Sequence, residues 1–153
     1  MTALPSSTPY PTLDDYSAES FNRFGATCLP GHLGLEVLSV EPRRVTARMV
    51  VCPEVMAPNG YLHGATPVVI ADTLCGYGCI TNLPSGAVGF TTIELKTNLV
   101  ATAREGAIHC EAIPVHLGRT TQVWDATVRD ERDGRLLASF RCTQLVLWPK
   151  PRA

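Results

Sequence analysis

A single acidic residue interrupts the longest apolar stretch of the chain, and it is the first candidate for chemistry. Between Ala65 and Ile80 the one charged residue is Asp72. Burying a carboxylate away from water is unfavourable unless a partner or a function compensates for it. Asp72 is therefore the first place to look for acid–base function. The alternative is a structural carboxylate in a seam between two subunits.

The residues before this stretch predict a turn and then the start of a helix. Pro58-Asn59-Gly60 is a turn-forming group, and Tyr61-Leu62-His63-Gly64 follows it. Pro67 falls in the first helical turn, where proline is tolerated because its missing N–H has no partner there. The apolar residues that follow leave little polar surface. We therefore expect a helix over 65–80 that is buried on most sides.

The remaining segments predict one more helix and six strands. The helix is expected over Asp14–Phe24, with Asp14 or Asp15 as its cap, and Leu29-Pro30-Gly31 ends that unit. Strands are expected over 33–40, 45–51, 90–100, 107–116, 121–128 and 136–147. Asp133-Gly134 is a strong hairpin signal before the last strand.

The order of these elements predicts an α+β fold. Two strands, one apolar helix and then a four-stranded meander form one curled antiparallel sheet wrapped around a long central helix. Alternation in the strand after the helix places Thr92 on the face opposite Leu95 and Thr97. One helix leaves sheet edges uncovered, and such edges are usually covered by another chain. We therefore expect a homodimer, or a homotetramer built as a dimer of dimers.

Composition bounds the function classes. The formal net charge is −1 and charged residues make up 18% of the chain, with no basic cluster that would indicate nucleic acid or an anionic membrane. No apolar stretch is long enough to span a bilayer. The six cysteines include no Cys-x-x-Cys pair, so we expect no metal site. Together these features predict a reduced cytoplasmic protein with residues 1–13 as a flexible arm and 14–150 as a single domain.

Three blocks of residues resemble the hotdog-fold acyl-CoA thioesterases, and the phenylacetate-degradation type (4-hydroxybenzoyl-CoA thioesterase-like) in particular. The first block runs from Gly60 through Leu62-His63-Gly64 to Asp72, eight residues after Gly64. The second is the segment 90–98, and the third is Gly118-Arg119 before the next strand. The resemblance spans roughly residues 33–147. It implies the hotdog fold, a sheet wrapped around one helix, and an enzyme that hydrolyses acyl-CoA or aryl-acyl-CoA.

The resemblance also implies roles for individual residues. The backbone N–H of Gly64, at the start of the helix, matches the donor that polarises the thioester carbonyl, where the helix dipole favours negative charge. Asp72 matches the nucleophile or general base. Eight helical residues span about 12 Å, which is too far for Gly64 and Asp72 of one chain to act on the same thioester. In the family the carboxylate comes from the partner subunit, so the resemblance implies a site completed by a dimer. Thr92 matches a hydroxyl that helps to hold water, and His63 orients the loop or polarises the site. No cofactor is implied, since coenzyme A is part of the substrate.

Two positions depart from the family pattern. Ala57 stands where relatives often carry Asn or Gln, and Asn59 is a candidate to substitute for it. Ala65 replaces the second glycine of the usual pair and is a candidate to line the substrate site. Arg119 is a further candidate, because a planar guanidinium suits the phosphate oxygens of coenzyme A.

Two other functions remain open at this point. One is a hotdog hydratase or dehydratase that acts on enoyl thioesters, which needs a paired acid and base placed differently from His63 and Asp72. The other is a module that binds acyl-CoA without turnover. The acid at the position of Asp72 argues against the second alternative, and an activity panel separates all three.

Overall fold

One long helix lies against a six-stranded antiparallel sheet in the computed structural model, which describes residues 16–149. Two short helices come first, α1 (Ala18–Gly25) and the single turn α2 (Leu29–His32). The strands β1 (Leu35–Glu41) and β2 (Arg44–Val50) follow, and a 3₁₀ turn at Pro53–Val55 leads to the long helix α3 (Ala65–Thr81). The chain then forms β3 (Gly89–Leu99), β4 (Ala107–Leu117), β5 (Thr121–Asp130) and β6 (Leu136–Leu147).

The strand order corrects the predicted four-stranded meander. The sheet runs β1-β2-β4-β5-β6-β3, so of the four strands after the helix only β4, β5 and β6 are sequential neighbours. β3 crosses to the far edge and pairs with β6, while β4 pairs with β2. Local alternation identifies β3 as a strand but carries no information on its partner. The predicted α+β class is confirmed, with β1 and β3 as the two edges.

The start of the described chain also differs from the prediction. The side chain of Ser17 caps α1 by accepting the Ser20 N–H at 3.1 Å, so the cap is not an aspartate. Asp14, Asp15 and the predicted arm at 1–13 lie outside the described residues. Leu29-Pro30-Gly31 does not simply end the first helical unit. It starts α2, whose first turn accommodates the proline.

A bulge in β3 changes which residues face the helix. The pairing of β3 with β6 shifts between Thr92 and Glu94, leaving Ile93 as the extra residue. Thr92 lies opposite the buried Gln144, and Leu95 lies opposite the buried Cys142. Paired residues point to the same face of a sheet. Thr92 therefore shares its face with Leu95 and Thr97, and the prediction that it lies on the other face is wrong.

The second half of α3 forms the centre of the core. Trp124 of β5 is fully buried, and a Cβ placed on Gly78 would come within 2.5 Å of its ring. Phe21 of α1 stacks on Tyr77 of α3 with ring centroids 4.5 Å apart. Each such side chain contributes about 1.5–3 kcal/mol by leaving water. This packing fixes α3 firmly against the sheet and so fixes the position of Asp72.

Candidate active site

Asp72 lies on the half-covered side of α3, facing β3. Its Oδ1 is 3.5 Å from the hydroxyl of Thr92, which is the limit of a hydrogen bond. The same hydroxyl lies 2.9 Å from Oε1 of the buried Gln144. Burial raises the pKa of the Asp72 carboxyl above its ordinary value, and a proton donated by the Thr92 hydroxyl would oppose that rise. Asp72 and Thr92, both predicted site residues, are therefore neighbours.

An apolar pocket of ≈ 290 Å³ opens beside this pair. Asp72 and Thr92 contribute polar atoms to its wall, and the aromatic rings of Phe24, Tyr77 and Phe90 form much of the rest. No Lys, Arg or His from the described part of the chain lines it. The pocket can hold an apolar group next to a carboxylate that has no cationic partner.

Sequence reasoning missed most of this pocket. Cys28 and Pro30, from the segment that joins α1 to α2, line it together with Gly76 of α3. The sequence places Phe24 only at the end of the predicted first helix. Phe24, Cys28 and Pro30 are far from Asp72 in the chain, and only the packing of α1 and α2 against α3 brings them to it, so no local pattern could have identified them.

The start of α3 is held by the carbonyl of Val55. That oxygen accepts the backbone N–H of His63 at 3.0 Å and the hydroxyl of Thr66 at 2.9 Å. The carbonyl of His63 in turn accepts the N–H of Thr66 at 2.9 Å. Gly64 is the N-cap residue, and its Cα faces Leu99 of β3 so closely that an added Cβ would lie 3.0 Å from Leu99 Cδ1. The hydrogen bonds to the Val55 carbonyl thus fix the loop, and Leu99 leaves little space beside the Cα of Gly64.

The imidazole of His63 acts on the backbone of the same turn. Its Nδ1 accepts the Ala65 N–H at 3.0 Å, which requires the ring proton to sit on Nε2. This bond occupies one of the free donors at the helix start. Within residues 16–149, no group accepts the N–H of Gly64. Gly64 therefore keeps an exposed donor at the positive end of the helix dipole, and His63 orients the loop around it.

One chain does not bring the two ends of this arrangement together. α3 is continuous from Ala65 to Thr81, with Gly64 at its cap and Asp72 eight residues further on. At 1.5 Å per residue the separation along the axis is about 12 Å. The carboxylate and the N–H donor of a single chain are too far apart to act on one carbonyl carbon.

The other predicted site residues lie apart from these two groups. Asn59 stands at an exposed turn, where its Oδ1 accepts the Tyr61 N–H at 3.3 Å. Arg119 lies between β4 and β5, with its guanidinium 4.6 Å from the centre of the Trp148 ring. The Trp148 ring in turn lies against Gly86, after the C-terminal end of α3. Neither Asn59 nor Arg119 has a described contact with Asp72 or Gly64.

The cysteines of the core do not offer a reactive thiol. Burial raises the pKa of the Cys75 thiol far above its ordinary value, and its neighbour Cys142 adds to that rise. Cys110 is fully buried as well. Thiols held neutral in this way are poor nucleophiles. Among residues 16–149, no group of three or more His, Cys, Asp or Glu is arranged to hold a metal ion.

Comparison with known protein families shows which family the chain belongs to. A family model described as the thioesterase superfamily matches residues 59–137, more than half of the chain. The matched segment contains His63, Gly64, Asp72 and Thr92. The chain belongs to the thioesterase superfamily. It is a thioester hydrolase.

Individual relatives of this thioesterase agree with that assignment. A 1,4-dihydroxy-2-naphthoyl-CoA hydrolase of Listeria monocytogenes is 32% identical over 111 residues, covering 72% of this chain and 89% of the relative. A protein of the same name from Escherichia coli is 34% identical over 132 residues, covering 84% and 93%. A thioesterase crystal structure from Haemophilus influenzae superposes with a TM-score of 0.80 at 28% identity, covering 86% of this chain and 90% of that one. The predicted hotdog fold is confirmed.

The thioesterase has no helix suited to crossing a membrane in the part of the chain that the structure describes. Its most apolar helix, α3, has 17 residues and carries Asp72 in its middle.

Proposed function

We propose that this thioesterase hydrolyses an acyl-CoA or aryl-acyl-CoA thioester to the free acid and coenzyme A. The observation that carries the proposal is Asp72, the one acid in the wall of an otherwise apolar pocket. Such a pocket suits the apolar acyl part of a thioester, with its carbonyl near the carboxylate. Two relatives named as hydrolases of an aryl-CoA support the same substrate class. The reaction adds water across the thioester and releases a thiol.

In this proposal the carboxylate of Asp72 starts the reaction. In one route it attacks the thioester carbonyl carbon and displaces the thiolate, giving an anhydride that water then hydrolyses to the free acid and the restored carboxylate. In the other it takes a proton from the water that attacks the carbonyl carbon, and the C–S bond breaks to release the thiolate. Both routes need an ionised carboxylate with few competing bonds. Burial of Asp72 serves this need, because a carboxylate that is poorly solvated binds a proton more strongly and is a stronger base once ionised. Thr92 is the hydroxyl that helps to place the water.

The N–H of Gly64 is the proposed donor to the oxygen that becomes negative. It has no acceptor among the described residues, and it lies at the positive end of a 17-residue helix. Fixed backbone donors of this kind contribute strongly because they need no reorganisation during the reaction. His63 holds the loop through the N–H of Ala65, and Ala65 is a proposed small residue at the edge of the same site.

A second subunit is part of the proposal, since Gly64 and Asp72 of one chain are about 12 Å apart along the helix. The edge strand β3 carries Ile93, Leu95 and Leu99, followed by Val100, and these side chains are 45–59% exposed. Apolar side chains on a bare edge indicate that another chain covers it. We therefore propose a homodimer, or a homotetramer of two dimers, in which Asp72 of one subunit faces Gly64 of the other. Light scattering of the active protein tests this, and full activity in a monomer would contradict it.

Further parts of the proposal concern the coenzyme A contact, the loop before α3 and the cellular compartment. Arg119 is the proposed contact for a phosphate of coenzyme A, because its guanidinium is exposed beside Trp148 and free of any described carboxylate. Asn59, in the exposed turn before α3, is a proposed polar contact for the substrate. All six cysteines are free thiols, which supports a reducing compartment such as the cytoplasm.

The test of the carboxylate is release of free thiol from a panel of short, medium, long and aryl acyl-CoAs. Asp72→Asn keeps the shape of the side chain and removes its charge, and Asp72→Ala removes the group. We expect turnover to fall by about 100-fold or more in both variants with the oligomer intact. If the wild type binds acyl-CoA without any turnover across the panel, the substrate class is wrong. Turnover of enoyl-CoA by hydration would instead favour a hydratase.

The test of the oxyanion donor uses two variants of one residue. Gly64 has φ −59°, which proline can adopt, so Gly64→Pro removes the N–H while keeping the backbone. Gly64→Ala is the matched control, because it adds the same Cβ against Leu99 and keeps the N–H. We expect Gly64→Pro to lower kcat by roughly 100-fold relative to Gly64→Ala. Equal activity in the two variants would remove Gly64 from the proposed machinery.

A further inference from the structure

A buried glutamine stands behind the candidate catalytic pair. Gln144 of β6 has no exposed surface, and its partner in the sheet is Thr92. Its Oε1 lies 2.9 Å from Thr92 Oγ1, and its Nε2 lies 3.3 Å from the sulfur of Cys142. A fully buried amide is retained only where its polar atoms have partners. Here one of those partners is the hydroxyl that also faces Asp72.

The hydroxyl of Thr92 has two acceptors and one proton. Oε1 of Gln144 lies at 2.9 Å, and Oδ1 of Asp72 lies at 3.5 Å. A hydroxyl donates one hydrogen bond, and a bond at the longer distance is much weaker. We propose that Gln144 is a positioning residue that binds the hydroxyl proton of Thr92 and thereby withholds it from Asp72. The inference rests on the proposed function only for its kinetic consequence.

The consequence is a carboxylate with few hydrogen bonds. A donated hydrogen bond would stabilise the ionised form of Asp72 and make it a weaker base. Cys28 and Tyr77 line the pocket and Cys75 lies behind it, and burial raises the pKa of the Tyr77 phenol and of the Cys75 thiol, which keeps these two groups neutral at working pH. No cation from the described chain lines the pocket. Thr92 is the one side-chain donor of the described chain within hydrogen-bond reach of Asp72, so the direction of its hydroxyl proton controls how strongly the ionised carboxylate is stabilised.

This arrangement predicts an unusual pattern of pKa changes. In Gln144→Met the hydroxyl of Thr92 loses its better acceptor and turns to Asp72, so the pKa of Asp72 falls. In Thr92→Val no proton is available to either acceptor, so the pKa of Asp72 stays near its wild-type value. In the double variant Thr92→Val/Gln144→Met the pKa returns to the wild-type value. The fall in the first variant thus requires the hydroxyl.

The experiment is a carbon-13 NMR titration of the Asp72 carboxyl in the full-length protein, with the signal assigned from Asp72→Asn. The control is Gln122→Met, because Gln122 is equally buried, lies opposite Gln144 in the sheet and bonds to Trp124 and the carbonyl of Asn82 instead. We expect the pKa of Asp72 to fall in Gln144→Met and to stay constant in Gln122→Met. An unchanged or higher pKa in Gln144→Met overturns the proposal.

Thr92→Val keeps the inference testable if Gln144→Met does not fold. A rise in the pKa of Asp72 in Thr92→Val would show that the hydroxyl already donates to the carboxylate, and the proposal would be wrong. A constant pKa supports it. Because valine matches threonine in shape, the readout does not depend on repacking of the core.

Kinetics separate this inference from the proposed function. We expect the acid limb of the kcat/KM profile in Gln144→Met to move to lower pH. The plateau of kcat/KM should fall roughly tenfold, because one hydrogen bond to a charged group changes the free energy by about the amount that a tenfold rate change requires. Gln122→Met leaves the acid limb in place. If the wild type has no thioesterase turnover but the NMR pattern holds, the proposed function fails and the role of Gln144 stands. If turnover is present and the pKa pattern is absent, the role of Gln144 fails alone.

Discussion

Asp72 and Asp130 are both covered carboxylates, and their surroundings differ in one decisive respect. The Asp130 side chain has no exposed surface, yet Arg132 donates to it through its backbone N–H at 3.0 Å and through its guanidinium at 3.2–3.3 Å. Arg135 adds a second cation at 3.7 Å. These bonds and charges lower the pKa of the Asp130 carboxyl. Among the described residues, Asp72 has only a hydroxyl at 3.5 Å and no cation, so burial raises its pKa.

The difference separates a carboxylate that holds the fold from one that is available for chemistry. Asp130 closes the β5–β6 hairpin, where its carbonyl also accepts the Gly134 N–H at 2.9 Å. Three N–H groups of Arg132 donate to the carboxylate, which ties it into the hairpin. Asp72 keeps free lone pairs beside an apolar pocket, which costs stability whenever it is ionised. Within the described chain, the lack of a cationic partner, more than burial, distinguishes the candidate catalytic acid.

Asp130→Asn is expected to give the largest change in stability that tests this contrast. The folded state lowers the pKa of Asp130, so the ionised carboxyl stabilises the fold above its ordinary pKa of 3.8 and this stabilisation is lost as pH falls through the folded value. We expect the melting temperature to drop by roughly 5 °C at pH 7.5 and by much less near pH 3. Thermal melts across pH check this.

The same variant should leave the chemistry unchanged. Thiol release per folded molecule of Asp130→Asn is expected to match the wild type within about twofold, because the hairpin has no described contact with Asp72 or Gly64. A loss comparable to that of Asp72→Asn would break the distinction between the two carboxylates.

The sequence alone indicates Asp72 as a candidate site residue, because the signal lies in the residues next to it in the chain. An acid in an apolar helix can be recognised from the residues on either side, and Pro67 marks where that helix begins. The strands were also recognisable from their alternation, and the last one was predicted with the bounds that the structure gives, Leu136–Leu147. Residues whose role depends on neighbours in sequence are within reach of this reasoning.

What sequence reasoning missed depends on contacts between distant segments. β3 pairs with β6 rather than β4, and no local pattern encodes the partner of a strand. The bulge at Ile93 reverses the faces that strict alternation assigns, which is how Thr92 comes to face Asp72. Gln144 was invisible for the same reason, since it lies 52 residues from Thr92 in the chain. The hydrogen-bonded environment of the acid was therefore beyond the reach of local patterns.

The smallest expected effect is a gain in stability, and it gives the sharpest contrast with Asp130. The folded state raises the pKa of Asp72, so the protonated carboxyl is favoured at low pH and that advantage is lost as pH rises through the folded value. Above it, the ionised group destabilises the fold. Asp72→Asn removes that cost, so we expect its melting temperature to exceed that of the wild type by roughly 2 °C at pH 7.5 and to match it near pH 3.5.

The two asparagine variants should thus change stability in opposite directions at neutral pH, and the differences should shrink together in acid. Thermal melts of both variants beside the wild type, at the same protein concentration so that the oligomer is comparable, make the measurement. A lower melting temperature for Asp72→Asn at pH 7.5 would mean that Asp72 is a structural carboxylate with a partner, such as one from a second subunit. A gain in stability combined with lost turnover is the result expected if the catalytic carboxylate lowers the stability of the folded protein.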